Sequence, residues 1–131
     1  MFDFVKNDNG LAFPIQEAKK AAIGTYKVGD ALVHDSTTGN VKAATGTTVP
    51  DYIGAEEVVL TSVSPIAVMK ITDGQVWKTQ FSADASAVKD GAKVTLDSDG
   101  RKVTATTTDG VATIDSRVGT GVAGNTAFVR F

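Results

Sequence analysis

Three places in this chain have residue types and spacings that chemistry uses. GTGVAG at 119–124 matches G-x-G-x-x-G, the loop that opens a helix over a dinucleotide pyrophosphate. That loop belongs to a βαβ unit, but only 125–131 follow it here and they read as a strand. The expectation is a glycine-rich strand with a bulge or turn near Gly121 and Gly124. Asp97-Ser98-Asp99-Gly100 has the start of a calcium loop, yet Arg101 stands at the fifth position and Thr108 at the twelfth, where a bidentate glutamate belongs. A plain turn is expected. His34, the single histidine, is followed by Asp35 and Ser36. Neighbours on a strand face opposite ways, so these three form no relay, and no G-x-S-x-G elbow is present. His34 is read as a half-buried or interface residue.

The other candidates are weaker. Glu56-Glu57 and Asp97/Asp99 sit in strand-flanking or turn contexts, where a solvated charge explains them. Trp77, the sole tryptophan, is read either as core filler or as part of an apolar contact surface. No metal, cofactor or catalytic residue is expected.

Composition agrees with a folded chain that has no catalytic signature. At 131 residues, 42% hydrophobic and 21% charged, it can bury a core as one domain. The net charge is −2 and the 13 Lys and Arg are scattered, which argues against a surface that tracks nucleic-acid phosphates. Cysteine is absent, so stability must come from packing or association. Asp3 and Lys6 interrupt any leader-like apolar run, and Glu56, Glu57 and Lys70 interrupt the stretch 53–71, so neither a cleaved leader nor a membrane span is expected.

The elements that would position these residues are read from a repeat. VGDALVHDSTTGNVKAA at 28–44 returns as DGAKVTLDSDGRKVTA at 90–105, with Gly29 and Gly91, Asp35 and Asp97, Ser36 and Ser98, and Val41 and Val103 each sixty-two residues apart. In the second copy Asp99-Gly100 predicts a type I′ hairpin turn. Centring there sets Leu96 opposite Val103 and Val94 opposite Ala105 on an apolar face, with Thr95–Thr104, Lys93–Thr106 and Asp97–Lys102 on a polar one. The same register makes Leu32, His34, Val41 and Ala43 the inward set of the first copy. A third hairpin is expected over 66–81 about Asp73-Gly74, with Ile66–Phe81, Val68–Thr79 and Lys70–Trp77 on one face, and Ile71–Val76 and Met69–Lys78 on the other. AFVRF at 127–131 reads as a last strand inside the sheet. Short helices are expected at 82–90, capped by Ser82 and Gly91, and at 15–22. The fold class is therefore mainly β: a compact β-barrel or β-sandwich built from two related hairpins plus a central hairpin, with at most one or two short helices. The two hairpins are expected to pair across a pseudo-two-fold to close one barrel, leaving few free edges.

Gly29 to Val33, Val41 to Ala44, Ile53-Gly54, Gly74 to Trp77, Gly91 to Gly100, Val118-Gly119 and the closing Phe128-Val129-Arg130-Phe131 form a plan that resembles the capsid decoration (cement) proteins of tailed bacteriophages. The likeness covers about 25–131 and its motifs are structural. It implies a non-enzymatic virion protein on the capsid exterior, made in the host cytoplasm, bound to the major capsid protein and commonly trimeric, with no nucleic acid or membrane partner. A tail, baseplate or head-fibre β domain for surface recognition is the alternative.

Two contact surfaces follow as expectations. Residues 1–24 read as an N-terminal arm ahead of a single β domain at 25–131, and Phe2, Phe4 and Phe13 on that arm are the candidate capsid contact. The arm would order on the capsid, or fold back onto its own barrel or a trimer neighbour. Because 66–81 is apolar on both faces, Met69, Ile71, Val76 and Trp77 are the candidate subunit interface.

Overall fold

The computed structural model describes residues 1–10 and 13–131, so part of the expected arm, residues 11 and 12, lies outside the described residues. Twelve strands follow in order: β1 (Asp3–Asn7), β2 (Gln16–Ala21), β3 (Gly24–Tyr26), β4 (Ala31–His34), β5 (Val41–Ala43), β6 (Tyr52–Gly54), β7 (Val58–Leu60), β8 (Ser64–Lys70), β9 (Gln75–Gln80), β10 (Lys93–Val94), β11 (Ala112–Arg117) and β12 (Thr126–Arg130). Among the described residues there is no helix. The two expected helices are corrected: 16–21 is β2, with Ala21 turned into a core, and 82–90 is a run of turns. The propensity of IQEAKKAA gave way to strand pairing, because the segment has no apolar stripe at helical spacing.

The architecture is a closed barrel followed by a five-stranded sheet, β1-β9-β12-β11-β10, which the single bridges Phe81–Val103 and Leu96–Val103 curl into a second, barrel-like unit. β2, β5, β4, β6 and β8 close the first, and the β3–β7 ribbon stands at its side. The second repeats that plan strand for strand: β9 stands for β2, β10 for β4, β11 for β6 and β12 for β8, with Val103 in the place of β5. The parallel Ala21–Val41 bridge corresponds to Phe81–Val103, Leu32–Tyr52 to Val94–Ala112, Glu17–Val68 to Trp77–Val129, and Gly54–Val68 to Ile114–Val129. Backbone bonds recur likewise. Gly29 N–H donates to Gly54 O at 2.9 Å as Gly91 N–H does to Ile114 O at 2.7 Å, and Asp35 N–H to Asn40 O at 2.9 Å as Asp97 N–H does to Lys102 O at 3.0 Å. One added residue, Asp115, makes the register shift in β11. The hairpin copies in the sequence are thus the most similar part of a duplication of the whole barrel.

This arrangement corrects several expectations. The two hairpins do not share one barrel. The 66–81 hairpin does not form: β8 pairs with β2 and β6, β9 pairs with β1 and β12, and the Asp73-Gly74 turn carries the chain from one barrel to the next. Gly74 adopts φ 87° and Asn9 Nδ2 donates to Asp73 O at 2.8 Å, which fixes that crossing. Nor is the Asp99-Gly100 turn of type I′, since only Gly100 has positive φ (66°). Asp97 Oδ1 instead accepts the N–H groups of Arg101 (2.9 Å) and Lys102 (3.1 Å), holding a longer loop. The second copy's apolar register stands: Leu96 bridges Val103, both are buried, and Thr95 and Thr104 share a hydroxyl hydrogen bond at 2.7 Å. In the first copy Leu32 and Val41 point inward but His34 and Ala43 are exposed. His34 lies at the rim, edge-on to the Tyr52 ring at 5.2 Å, and Ala44, which donates its N–H to Ala31 O at 2.8 Å, is buried in the larger core with Ala31.

Two cores result. Ala21, Tyr26, Leu32, Val41, Tyr52, Ile66 and Val68 fill the first barrel. A larger cluster fills the second with Trp77, Phe81, Val94, Leu96, Val103, Ile114, Ala127 and Val129, and it continues into the junction through Phe2, Ala31, Ala44 and Ile53. On the β4–β6 wall, Leu32 and Tyr52 face the first core while Ala31 and Ile53 face the second. The wall is buried on both sides, and Met69 and Ile71 pack against the larger core too. Across the junction Ala31 N–H donates to Gly100 O at 2.8 Å, Leu96 N–H to Gly46 O at 2.8 Å, and Arg101 Nη1 to Asp30 Oδ1 at 2.8 Å.

Residues 1–7 are part of this construction. Phe2 N–H donates to Gly29 O at 2.9 Å, the Phe2 ring meets Phe131 edge-on at 5.3 Å, and β1 pairs with β9. Gly29 has φ 81°, and a Cβ there would stand 2.7 Å from Met1 Cβ, so glycine is required where the N-terminus crosses. Phe2→Ala is expected to destabilise the fold by about 3–5 kcal/mol, the usual cost of emptying a buried phenylalanine site. Phe13→Ala at an exposed position should move stability by less than about 0.5 kcal/mol. Urea titration of the two variants checks this, and equal midpoints would show that Phe2 does not tie the barrels together.

Candidate functional site

The seven residues expected to make contacts divide by burial. Phe2 is 1% exposed, Val76 1% and Trp77 0%. None of these offers a surface to a capsid or a subunit, which corrects their assignment. Trp77 is the core filler of its two readings; its Nε1 lies buried without a hydrogen-bond partner among the described residues. Phe4 is half-buried, edge-on to Trp77 at 5.6 Å and tilted against Phe13 at 6.3 Å. Met69 and Ile71 are half-buried against the larger core. Only Phe13, at 79% exposure, stands in solvent. The expectation that 66–81 presents apolar residues on two faces was sound in pattern, but the second face is covered within the chain. Likewise the described residues of 1–24 form no separate arm, since β1 pairs with β9 and β2 with β8.

Sequence reasoning missed the apolar residues that are exposed. Ile23 (66%) and Val59 (69%) accompany the β3–β7 ribbon, with Val63 (49%) beyond it; Ile15 (55%) stands just before β2. Single valines and isoleucines in or just before short strands carry the same pattern as core residues, so only the fold distinguishes them.

The chemistry-bearing residues are used for structure. Asp51 Oδ2, not Asp35, faces the histidine: it accepts the His34 backbone N–H at 2.9 Å and lies 3.9 Å from His34 Nδ1, while Tyr52 Oη is 3.5 Å from the same nitrogen. Asp35 organises its own turn through the Thr37 N–H at 2.9 Å and pairs with Lys42 at 3.2 Å. The GTGVAG glycines adopt φ of 86°, 88° and 85° in the loop between β11 and β12, and Gly121 N–H donates to Asn125 Oδ1 at 3.1 Å. Arg117 pairs with Asp90 at 2.7 Å and lies over the Phe81 ring at 5.6 Å. Among the described residues no three His, Cys, Asp or Glu side chains are grouped to hold a metal ion. A shallow cleft of about 300 Å³, lined by Met1, Asp3, Lys78, Thr79, Gln80 and Thr126, has the Lys78–Asp3 pair (3.6 Å) in its wall, and the Thr79 hydroxyl donates to Arg101 O at 2.8 Å.

No known family matches the chain, and no curated protein is similar to it.

Electrostatics separate surface from junction. Lys6 and Arg130 hold the Asp8 carboxyl below its usual range, the Thr37 N–H and Lys42 do so for Asp35, and the Ser86 N–H and hydroxyl for Asp84. Their stabilisation is present above about pH 4 and is lost as pH falls through the folded values. Asp30 is opposite: burial at the junction raises its carboxyl, against the opposing pull of the Lys27 N–H and Arg101. Its contribution is greatest below about pH 4 and is lost as pH rises through the folded value. Asp30→Asn keeps an acceptor for Lys27 N–H but removes that titration. Measured against the parent, the variant should gain in relative melting temperature as pH rises from about 4 toward neutrality. A difference that stays flat with pH would exclude Asp30 as a junction titrator.

Proposed function

We propose that this chain is a non-enzymatic structural protein of a tailed-phage virion, which binds the outside of the capsid shell and stabilises it. The observation that carries the reading is where the family-like residues lie. Gly29 accepts Phe2, Gly100 receives Ala31, Trp77 and Val129 fill the larger core, and Phe131 closes on Phe2. Most residues of the resemblance thus help to build the two units, in keeping with a protein whose role is mechanical. Support comes also from Asp35, Asp90 and Asp97, which are taken up by turns and ion pairs, and from a closed first barrel that does not rely on disulfides.

The partner proposed is the major capsid protein, and the assembly a homotrimer. With Val76 and Trp77 buried, subunit contacts fall to other apolar residues, foremost Ile23 and Val59, and the capsid contact falls to Phe13. The test uses capsids of the encoding phage assembled without this protein. Added protein should co-sediment with them and raise their disruption temperature, and Phe13→Ser should weaken binding by about 10-fold or more, as loss of a contact anchor does, without changing the protein's own melting. Binding to tails or to host cells with none to capsids would sink the capsid reading in favour of a tail, baseplate or head-fibre domain.

A further inference from the structure

The duplication shows what can occupy an edge that the first barrel leaves open. Lys70 N–H donates to Ile15 O at 2.8 Å and the β2–β8 register runs on from there, so Glu17 and Lys19 bond toward β8 and Gln16 and Ala18 turn their backbone groups away. On that outer side β5 meets β2 only at Ala21–Val41. Gln16 and Ala18 are exposed, and among the described residues their outward groups have no backbone partner. The equivalent residues of the second barrel are Val76 and Lys78, and there the edge is filled: β1 lies antiparallel along it, with Asp3 opposite Lys78, Phe4 opposite Trp77 and Lys6 opposite Val76. Asp3 also pairs with Lys78 at 3.6 Å.

Charge selects the occupant. Lys19 is paired to Glu17 at 2.7 Å and Lys42 to Asp35 at 3.2 Å, but Lys20, exposed two residues beyond Ala18 on the same face of β2, has no carboxylate within ion-pair distance among the described residues. A second copy pairing through the same window would set Glu17 opposite Glu17, which is unfavourable. We propose that the outer edge of β2 along Gln16–Ala18 docks an extended acidic segment of a partner protein, added antiparallel as a further strand in the manner of β1 on β9. The proposal does not rest on the capsid reading, because the edge would take such a segment from any protein.

The probe is a nine-residue peptide of alternating valine and aspartate, with a valine–lysine peptide as its opposite. Backbone amide exchange of the full chain is followed with each. The valine–aspartate peptide should slow exchange at Gln16 and Ala18 by about 10-fold or more, as backbone pairing at an edge protects amides, and the valine–lysine peptide should not. Ala18→Pro removes the outward donor at a place where an edge strand tolerates proline, and should abolish the effect. Lys20→Glu, which leaves the backbone intact, should weaken the acidic peptide's effect and keeps the test decisive if the proline variant fails to fold. No slowing at Gln16 and Ala18, slowing confined to another edge such as the β3–β7 ribbon, or slowing indifferent to Lys20→Glu would each overturn the proposal.

Discussion

The junction between the two barrels is the constraint on which the rest depends. A barrel of five short strands encloses few side chains: seven residues make the first core, two of them tyrosines whose hydroxyl groups must reach polar surroundings. Tyr26 Oη donates to Ala22 O at 2.8 Å, and Tyr52 Oη emerges beside His34 at the rim. Such a core is marginal alone, since small domains bury too little of their surface. Sharing the β4–β6 wall solves this. One set of residues on that wall serves the first core, the alternate set serves the second, and the apolar area removed from water grows without lengthening any strand.

The shared wall also imposes asymmetry. A dyad relating the barrels would bury the same face of both. Ala31 and Ile53 are buried at the junction, yet their counterparts Lys93 and Thr113 are exposed and half-buried. The contact is therefore head to tail, the kind that repeats without closing when its complementary face stays available. Lys93 and Thr113 put a polar surface where a third barrel would dock, as capping repeats do. β1 does comparable work on β9, covering an edge that its twin strand β2 leaves open.

What the sequence made legible were the features that depend on local pattern. The β class, the Leu96–Val103 register, the closing strand at 126–130 and the turn nature of DSDG all follow from alternation and turn chemistry. Less was legible wherever a strand is buried on both faces. Met69, Ile71, Val76 and Trp77 carry the apolar pattern of a surface waiting for a neighbour, and nothing in that pattern tells whether the neighbour is another chain or the other half of the same one. Phe2 misled in the same way: a phenylalanine beside Asp3 at the N-terminus looks like part of a loose arm, and only its Gly29 and Phe131 contacts reveal a staple. The full extent of the repeat was hidden because β2 and β9 share a place in the barrel without sharing residues, QEAKKA against VWKTQF.

That divergence indicates which part of the plan is fixed by physics and which part is free. The hairpin keeps Gly29 and Gly91, Asp35 and Asp97, and Val41 and Val103, because each supports geometry common to both barrels: a positive φ at the entry, a carboxylate that accepts turn N–H groups, and a buried residue bridging to the first strand of its own barrel. The first strands had no such common duty after duplication. β9 runs through the larger core under β1 and so carries Val76, Trp77 and Thr79 buried, whereas β2 borders solvent and carries Glu17, Lys19 and Lys20. Retained hairpins beside diverged first strands are what two barrels produce when they must fold alike but face different neighbours, and the strand that faces outward is where recognition by another molecule has room to act.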